Sequence, residues 1–317
     1  MNSIPSTFSE NEFNYLITGS DKRLSNATVD LCALILNRDN SQFRYYIFDN
    51  LISKGFSRII CVENKSSNLN TDAISEKYPE IEFVVCLEDL TQGEMINLGM
   101  TLCDSPYVLV LQEELCVENF RFNENIFNFL IEKNPLCVCP KLISQNYQIL
   151  SGLIEPYTYK SNFVTKVSNS FGEMEKTLCS TDYVGLYNRK LFLETNGFDG
   201  NIETPYWQQM DFFVRGFLQG KETYISNLLS FTYSCFEINE NQSLDKNYYR
   251  FYVKNLLPVY KNGEFQLKKS SLFECILNKS CLLFERIMIF NYTRKWIREN
   301  KSAFQKDIVK LIEDWGE

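Results

Sequence analysis

The chain has 317 residues, a formal net charge of −8 at pH 7 and no histidine. The negative charge has the wrong sign for a protein that follows a nucleic-acid backbone, and no apolar run is long enough to predict a transmembrane helix. The lack of histidine excludes Ser-His-Asp hydrolases, Cys-His proteases and His-ligated zinc enzymes. Catalysis must therefore use carboxylates, hydroxyls, amides, lysine, arginine or thiols.

The cysteines are spaced as small buried side chains, within apolar runs such as LCALIL and FVVCLE. Cys137 and Cys139, in LCVCP, would share one face of a strand, but no second pair follows at zinc-finger spacing, so core packing is favoured over a metal site. The N-terminus has no basic region followed by an apolar region, which disfavours a secretory signal. These patterns predict a cytoplasmic protein, with a position at the inner face of the membrane as the alternative.

Strand-like and helix-like segments alternate after a polar stretch at residues 1–28, which is predicted to be an N-terminal extension. The predicted strands are LCALIL (31–36), RIICV (58–62), EFVVCL (82–87) and SPYVLVL (105–111). The predicted helices between them are FRYYIFDNLISKGF (43–56), a polar helix ending near Tyr78, and TQGEMINLGMTLC (91–103). Such alternation predicts an α/β fold with a mostly parallel, Rossmann-type sheet that helices cover on both faces.

Polar residues follow three of the predicted strands, as NRDN (37–40), ENKSS (63–67) and QEE (112–114). In open α/β sheets, ligands bind outside the carboxyl ends of the strands. The QEE triplet therefore indicates a ligand site more than a solvated turn. No glycine-rich dinucleotide fingerprint follows the first strand and no P-loop motif occurs, which disfavours both of those nucleotide sites.

In chain order, ALILNRDN, IICVENKSS, LTQGEMINLGM and YVLVLQEEL resemble successive motifs of glycosyltransferase family 2, whose members are nucleotide-sugar enzymes with the GT-A fold. Further on, LYNRKLFLETNGFDG and TPYWQQMDFF resemble the acceptor half of that family. The resemblance implies a GT-A-like domain at residues 29–235, with a nucleotide-sugar half at 29–118 and an acceptor half at 119–235. A helical C-terminal region would occupy 236–317.

The resemblance implies a donor site built from the strand ends and the third helix. Glu63 falls at the acidic position that faces the nucleobase in the family, and the first-strand turn lines the same pocket. The basic residue that the family places before the helix asparagine is Ile96 here, so one phosphate contact is missing. The implied donor-binding residues are Asn37, Asp39, Glu63, Asn64, Gly93, Asn97, Gln112 and Glu113.

The resemblance also implies a divalent cation. In the family a D-x-D triplet holds the metal against the diphosphate, and this triplet has become Gln112-Glu113-Glu114. Mn²⁺ and Mg²⁺ prefer oxygen ligands, so Glu114 is the predicted metal ligand, whereas Gln112 offers only a neutral carbonyl.

The acceptor side departs further from the family. An E-D motif there supplies the general base, and the matching pair here is Gln208-Gln209, whose amides cannot take a proton. A histidine that family members often carry near the metal is also missing. Asp211 and Asp182 are the candidate replacement carboxylates, and the expected acceptor-side residues are Trp207, Gln208 and Gln209.

The leading functional prediction is an enzyme that transfers a sugar from a UDP- or dTDP-sugar to a glycan, a protein or another hydroxyl acceptor, with inversion. The altered motifs leave open a catalytically inactive homologue that acts as a binding or scaffold subunit in surface-glycan biosynthesis. A sugar-phosphate nucleotidyltransferase is the third alternative, but NRDNSQF lacks the glycine-rich loop that it requires.

The C-terminal region combines aromatic and basic residues, as in CLLFERIMIFNYTRKWIREN (281–300). Apolar residues at helical spacing favour packing against the protein's own core or against a second subunit, which would form a homo-oligomer. Peripheral contact with a membrane is the alternative for this segment.

Overall fold

The computed structural model describes residues 13–19, 23–24, 27–37, 44–67, 71–118, 120, 123–160, 162–233, 238, 240–268, 270–277 and 280–316. Of the predicted site residues, Asp39 lies outside the described residues. No helix in the described part is both long and apolar enough to cross a membrane.

Within these residues, one sheet contains ten strands, and two short hairpins stand apart from it. The strands are β1 (Tyr15–Gly19), β2 (Leu31–Asn37), β3 (Arg58–Glu63), β4 (Glu82–Cys86), β5 (Tyr107–Gln112), β6 (Leu115–Cys116), β7 (Cys137–Ser144), β8 (Leu153–Tyr159), β9 (Asn162–Ser168), β10 (Glu175–Lys176), β11 (Gly185–Asn188), β12 (Thr223–Tyr233), β13 (Val259–Lys261) and β14 (Glu264–Gln266). The hairpins are β8–β9 and β13–β14.

The main sheet has the order β1-β4-β3-β2-β5-β11-β7-β12-β10, and β6 pairs with the end of β12. Strands β4, β3, β2 and β5 run parallel, as do β7 and β12. Strand β11 is antiparallel to both of its neighbours. Strand β1 lies within the stretch predicted as an extension, and it adds an antiparallel edge strand to β4.

Helices connect and cover these strands. They are α1 (Arg44–Leu51), α2 (Thr71–Lys77), α3 (Gln92–Leu102), α4 (Glu124–Ile131), α5 (Arg189–Glu194), α6 (Pro205–Leu218), α7 (Lys246–Phe251), α8 (Ser271–Leu277), α9 (Leu283–Asn300) and α10 (Ile308–Glu313). A π-helical segment, Tyr252–Leu256, continues α7. The four strands and three helices predicted for residues 31–112 are confirmed, with shifted ends.

The parallel strands β2, β3, β4 and β5 face two apolar cores, which explains why they are apolar at nearly every position between their ends. In β2, Leu34 and Leu36 enter the core beneath α3 and α6. Ala33 and Ile35 enter the core beneath α1 and α2. We refer to these two sides of the sheet as the α6 face and the α1 face.

A buried network of charges joins the C-terminal region to α6. We define the ion network as Asp199, Asp211, Arg215, Arg250 and Lys254. Lys254 Nζ lies 3.1 Å from Asp199 Oδ2 and 2.9 Å from Asp211 Oδ2, and Arg215 Nε lies 2.9 Å from Asp211 Oδ2. These groups lie away from water, so each carboxylate depends on its cations for compensation of its lost hydration.

We predict that Lys254→Met destabilises the protein by about 3 kcal/mol, because it leaves two buried carboxylates with one cation fewer. Lys246→Met is the matched control, since its side chain is half exposed and pairs with the exposed Glu203. That change should cost less than about 1 kcal/mol. Urea unfolding of both variants measures the difference, and equal free energies of unfolding would contradict the structural role of the network.

Candidate functional site

The site begins where three parallel strands end together. Asn37 at the end of β2 pairs in register with Glu63 at the end of β3. Leu36 pairs with Gln112 at the end of β5. Asn37, Glu63 and Gln112 are all fully buried. Polar groups this deeply buried need partners, so the carboxyl edge of the sheet is a built polar site and not a solvated turn.

The side chains at this edge divide between the two faces of the sheet, because successive residues of a strand point in opposite directions. Glu63 lies on the α1 face, where Thr71 Oγ1 donates a hydrogen bond to its carboxylate. Gln112 lies on the α6 face, where its Nε2 donates to the backbone oxygen of Asp182 at 2.8 Å. The predicted donor residues therefore share an edge but form two groups.

The turn after β5 carries the remaining residues of the QEE triplet. Glu113 is buried and Glu114 is partly buried. The next residues form β6, in which Leu115 pairs with Tyr233 at the end of β12. This pairing brings the triplet next to Tyr233 at the end of β12.

Two carboxylates, Asp182 and Glu240, meet on the α6 face, and we call them the acidic pair. The Tyr233 hydroxyl donates a hydrogen bond to Asp182. Glu240 lies near the backbone N–H of Asp182 and the side-chain amide of Gln209, and both favour its charged form. Burial, together with the negative charge of Asp182, raises the pKa of Glu240 to about 7. Glu240 therefore changes its charge near neutral pH.

The backbone at the acidic pair is strained. Asp182 and Tyr183 adopt the left-handed conformation in succession, with φ of 51° and 61°. Two polar side chains hold them: Gln112 donates to the Asp182 oxygen, and Gln209 Oε1 accepts from the Tyr183 nitrogen at 2.7 Å. Left-handed residues other than glycine cost roughly 1–3 kcal/mol each and concentrate at functional sites.

Gln208 and Gln209 have different roles. Gln208 Oε1 accepts from the Gly93 nitrogen at 3.0 Å and from the Tyr183 hydroxyl at 2.6 Å. Its Nε2 donates to Thr91 Oγ1 and to the Asp199 oxygen, both at 3.0 Å. The Gln208 amide thus joins helices α3 and α6. Gln209 Oε1 accepts from the Tyr183 nitrogen and from Ser180 Oγ, beside the acidic pair.

Other residues of the predicted donor set also form links within the protein. Asn97 Nδ2 donates to the Phe198 oxygen at 2.8 Å, and its Oδ1 accepts from the Phe198 nitrogen at 2.9 Å. Asn64 makes the same two-way exchange with Leu90, at 3.0 and 2.8 Å. A Cβ on Gly93 would collide with Gln208 and Phe198. These contacts position α3 and its preceding loop, and a role in donor binding stays a prediction.

Asp211 is not placed to act as a catalytic base. It is fully buried, and its Oδ2 contacts both Arg215 and Lys254. Its Oδ1 accepts from Asn255 Nδ2 at 2.8 Å. Since helical geometry turns it away from the acidic pair and into the ion network, we assign it a structural role.

Trp207, predicted on the acceptor side, is a packing residue at the junction with the C-terminal region. Its ring stacks on Phe251 with centroids 5.3 Å apart, and its Nε1 donates to the Ser243 oxygen at 2.8 Å. It is almost fully buried, so a direct contact with an acceptor would require its neighbours to move.

The described residues do not provide the ligand set of a divalent cation. No group of three or more carboxylates or thiols among them converges on one point, so the predicted ligand Glu114 belongs to no such group. Gln112 Oε1 is buried and accepts no hydrogen bond within the described part of the chain. One neutral oxygen is a weak substitute for the carboxylates that Mg²⁺ and Mn²⁺ select.

Glu240 is the functional candidate that the sequence prediction missed. It lies beyond the predicted boundary at 235, in the polar stretch INENQS, where nothing distinguishes it from a solvated residue. The structure places Glu240 near Asp182 and Gln209, which are distant from it in sequence, and such long-range proximity leaves no local pattern.

Comparison with known structures assigns the fold. The crystal structure of GalNAc-T7 with UDP, GalNAc and Mn²⁺ matches 71% of this chain and 48% of its own, at 12% identity and a TM-score of 0.51. The chain thus spans about half the length of GalNAc-T7. Staphylococcus aureus TarS matches at 12% identity over 85% of this chain and 43% of its own, with a TM-score of 0.49. TarS 1-349 in complex with UDP-GlcNAc matches at 13% identity, over 82% and 70% of the two chains, with a TM-score of 0.47.

No family model matches the sequence, and no curated protein sequence does. The fold is nevertheless clear: a mostly parallel central sheet, helices on both faces and a helical C-terminus define a GT-A-like protein.

We compare the free energy of unfolding of the Glu240→Gln variant with that of the wild type at two pH values. We predict that this difference favours the variant by about 1–3 kcal/mol more at pH 8 than at pH 4.5. Because the pKa of Glu240 is raised from 4.5 to about 7, the folded state binds a proton that the unfolded state releases in that window. The free energy of unfolding of the wild type therefore falls as pH rises, and the amide variant lacks this loss.

Urea unfolding at pH 4.5 and pH 8 measures the effect, with Glu80→Gln as the control because Glu80 is exposed. A variant that is destabilised equally at both pH values would show that Glu240 is an ordinary hydrogen-bonded carboxylate.

Proposed function

We propose that the protein is a glycosyltransferase that moves a sugar from a UDP- or dTDP-sugar to a hydroxyl group of a glycan or other acceptor, with inversion at the anomeric carbon. The observation that carries the proposal is the acidic pair at the carboxyl edge of a GT-A-like sheet. The substrate class comes from the fold and from the family resemblance of the sequence, and the catalytic group comes from the geometry.

Glu240 is the proposed general base. It is mostly buried but retains some exposure, so an acceptor hydroxyl can reach it. A base is most effective when its pKa lies near the working pH, and the Glu240 pKa of about 7 meets that condition. Burial and the charge of Asp182 raise the pKa to this value, and the side chain of Gln209 lies near the carboxylate. Gln209 occupies the position where the family has its general base, and in this proposal the neighbouring Glu240 takes the proton in its place.

In the proposed reaction, the acceptor oxygen attacks the anomeric carbon from the side opposite the leaving group. A new carbon–oxygen bond forms while the bond between that carbon and the phosphate oxygen breaks. The nucleoside diphosphate leaves with the bonding electron pair, and Glu240 takes the hydroxyl proton. One displacement inverts the configuration, and no step is assigned to a metal ion.

The nucleoside would lie at the other end of the same edge. Glu63 is fully buried at the end of β3 with Asn37 beside it, and Thr71 donates to its carboxylate, so a nucleobase reaches it only when neighbouring residues move. The carboxylate would then accept the imide N–H of uracil or thymine. The fold shared with GalNAc-T7, whose crystal structure contains UDP, supports a ligand of this type at the strand ends.

We predict that UDP or dTDP binds in a titration calorimeter and that Glu63→Gln weakens the binding at least about tenfold. The amide keeps the size of the side chain but gives the nucleobase N–H a neutral acceptor in place of a charged one. Glu80→Gln is the matched control and should bind as the wild type does. If no nucleoside diphosphate or nucleotide sugar binds, the proposed function is wrong.

We predict that kcat/KM for sugar transfer rises with pH through about 7, since Glu240 must be deprotonated to act as a base. Glu240→Gln should lower the rate by about 10²–10⁴-fold while UDP affinity is kept. Asp182→Asn should move the midpoint of the profile to lower pH, because the charge that raises the Glu240 pKa is removed. A pH profile that is the same in Glu240→Gln and wild type would exclude this base.

A catalytically inactive binding subunit is the second candidate function. Two observations favour it. Gln208 and Asp211 are used in hydrogen bonds within the protein. Among the described residues, no three carboxylates or thiols come together to form a metal site. The two functions are separable in one assay. Nucleotide binding without sugar transfer or donor hydrolysis at any pH would favour the binding subunit.

A further inference from the structure

The C-terminal helices present large apolar side chains to the surface. Along α8, the connection after it and the first half of α9, nine such side chains are between 39% and 74% exposed. We call them the apolar ridge: Leu272, Phe273, Leu277, Leu282, Leu283, Phe284, Ile287, Met288 and Tyr292. Single exposed apolar residues are ordinary, but a continuous set of this size marks an interaction surface.

The apolar ridge is exposed even though helix α9 is already packed against the protein. The opposite face of α9 is already packed against the protein through Phe290, Thr293, Trp296 and Ile297. Trp296 also contacts Phe304, with ring centroids 5.9 Å apart. Helix α9 is therefore packed against the protein along one face, and the apolar ridge lies on its other face.

The same outward face becomes basic in the second half of α9. Arg294, Lys295 and Arg298 are exposed there, on the helix face that carries Phe284 and Met288 one to three turns earlier. Arg294 and Arg298 also line a cavity of about 220 Å³, together with Lys301. Lys295 pairs with Glu299 at 4.0 Å, and Lys301 pairs with Glu264, which also lines the cavity, at 2.6 Å. Of these cations beside the apolar ridge, Arg294 and Arg298 therefore have no ion pair among the described residues.

We propose that this face binds the surface of a membrane that contains anionic lipids. The ridge would enter the boundary between headgroups and acyl chains, and the cations would contact lipid phosphates. The charges favour a membrane as the partner. Along one helix face, apolar side chains suited to the acyl-chain boundary are followed by arginine and lysine, which are suited to the anionic headgroups. The attachment is peripheral, since none of the described helices can span a bilayer.

Vesicle flotation with the full chain tests the proposal. We expect the wild type to float with vesicles of phosphatidylcholine that contain about 30% phosphatidylglycerol, and far less with phosphatidylcholine alone. The variant Phe284→Glu/Met288→Glu should reduce the floated fraction about tenfold, and Arg294→Glu/Arg298→Glu should remove the preference for the anionic lipid. These positions are exposed, so the melting temperature should stay unchanged.

Phe129→Glu is the control, because Phe129 is also an exposed aromatic residue, at 38% against 71% for Phe284, and lies on α4, a helix that packs on the α1 face. It should float as the wild type does. Absence of wild-type flotation, or equal flotation of the Phe284→Glu/Met288→Glu variant, overturns the proposal. A wild-type dimer that this variant converts to a monomer, without any flotation, also overturns it and assigns the ridge to contact between two copies.

Discussion

The parallel pairing of β2, β3 and β5 is the constraint on which the site depends. These strands are covered on both faces, so nearly every residue within them must be apolar. Polar side chains are accommodated only at the strand ends, and the in-register pairing ends all three strands at one edge. The alternation of side chains then assigns Glu63 to the α1 face and Gln112 to the α6 face. A ligand that uses both must lie across the edge, which suits an elongated molecule such as a nucleotide sugar.

Helix α6 links this edge to the rest of the molecule. Its first turns carry Gln208, which joins α3, and Gln209, which contacts the acidic pair. Its later turns carry Asp211 and Arg215, which the ion network ties to the C-terminal region. Buried charges of this kind stabilise only when every partner is present, so they hold α6 in one position. The orientation of Gln209 at the site therefore depends on contacts made deep in the core.

The strands and helices around the site could be predicted from the sequence, because each parallel strand reads as a short apolar run and each helix has its own periodicity. That a polar residue, Gln112, ends the buried strand β5 was predictable too, and its role in binding a donor stays a prediction. Gln208 and Asp211 show the limit of this reasoning. Their positions match a catalytic motif, yet their contacts with Gly93 and Lys254 are long-range and structural. Glu240 was not predictable, because its neighbours Asp182 and Gln209 are distant from it in the sequence.

The central claim is that one edge of the sheet holds the activated sugar with its reacting carbon facing the acidic pair. A crystal structure of the Glu240→Gln variant with an intact UDP- or dTDP-sugar tests it most directly. The account predicts the nucleobase beside Asn37 and Glu63, and the anomeric carbon open toward residue 240. A donor bound elsewhere, or one whose anomeric carbon faces away from Asp182 and residue 240, would contradict it.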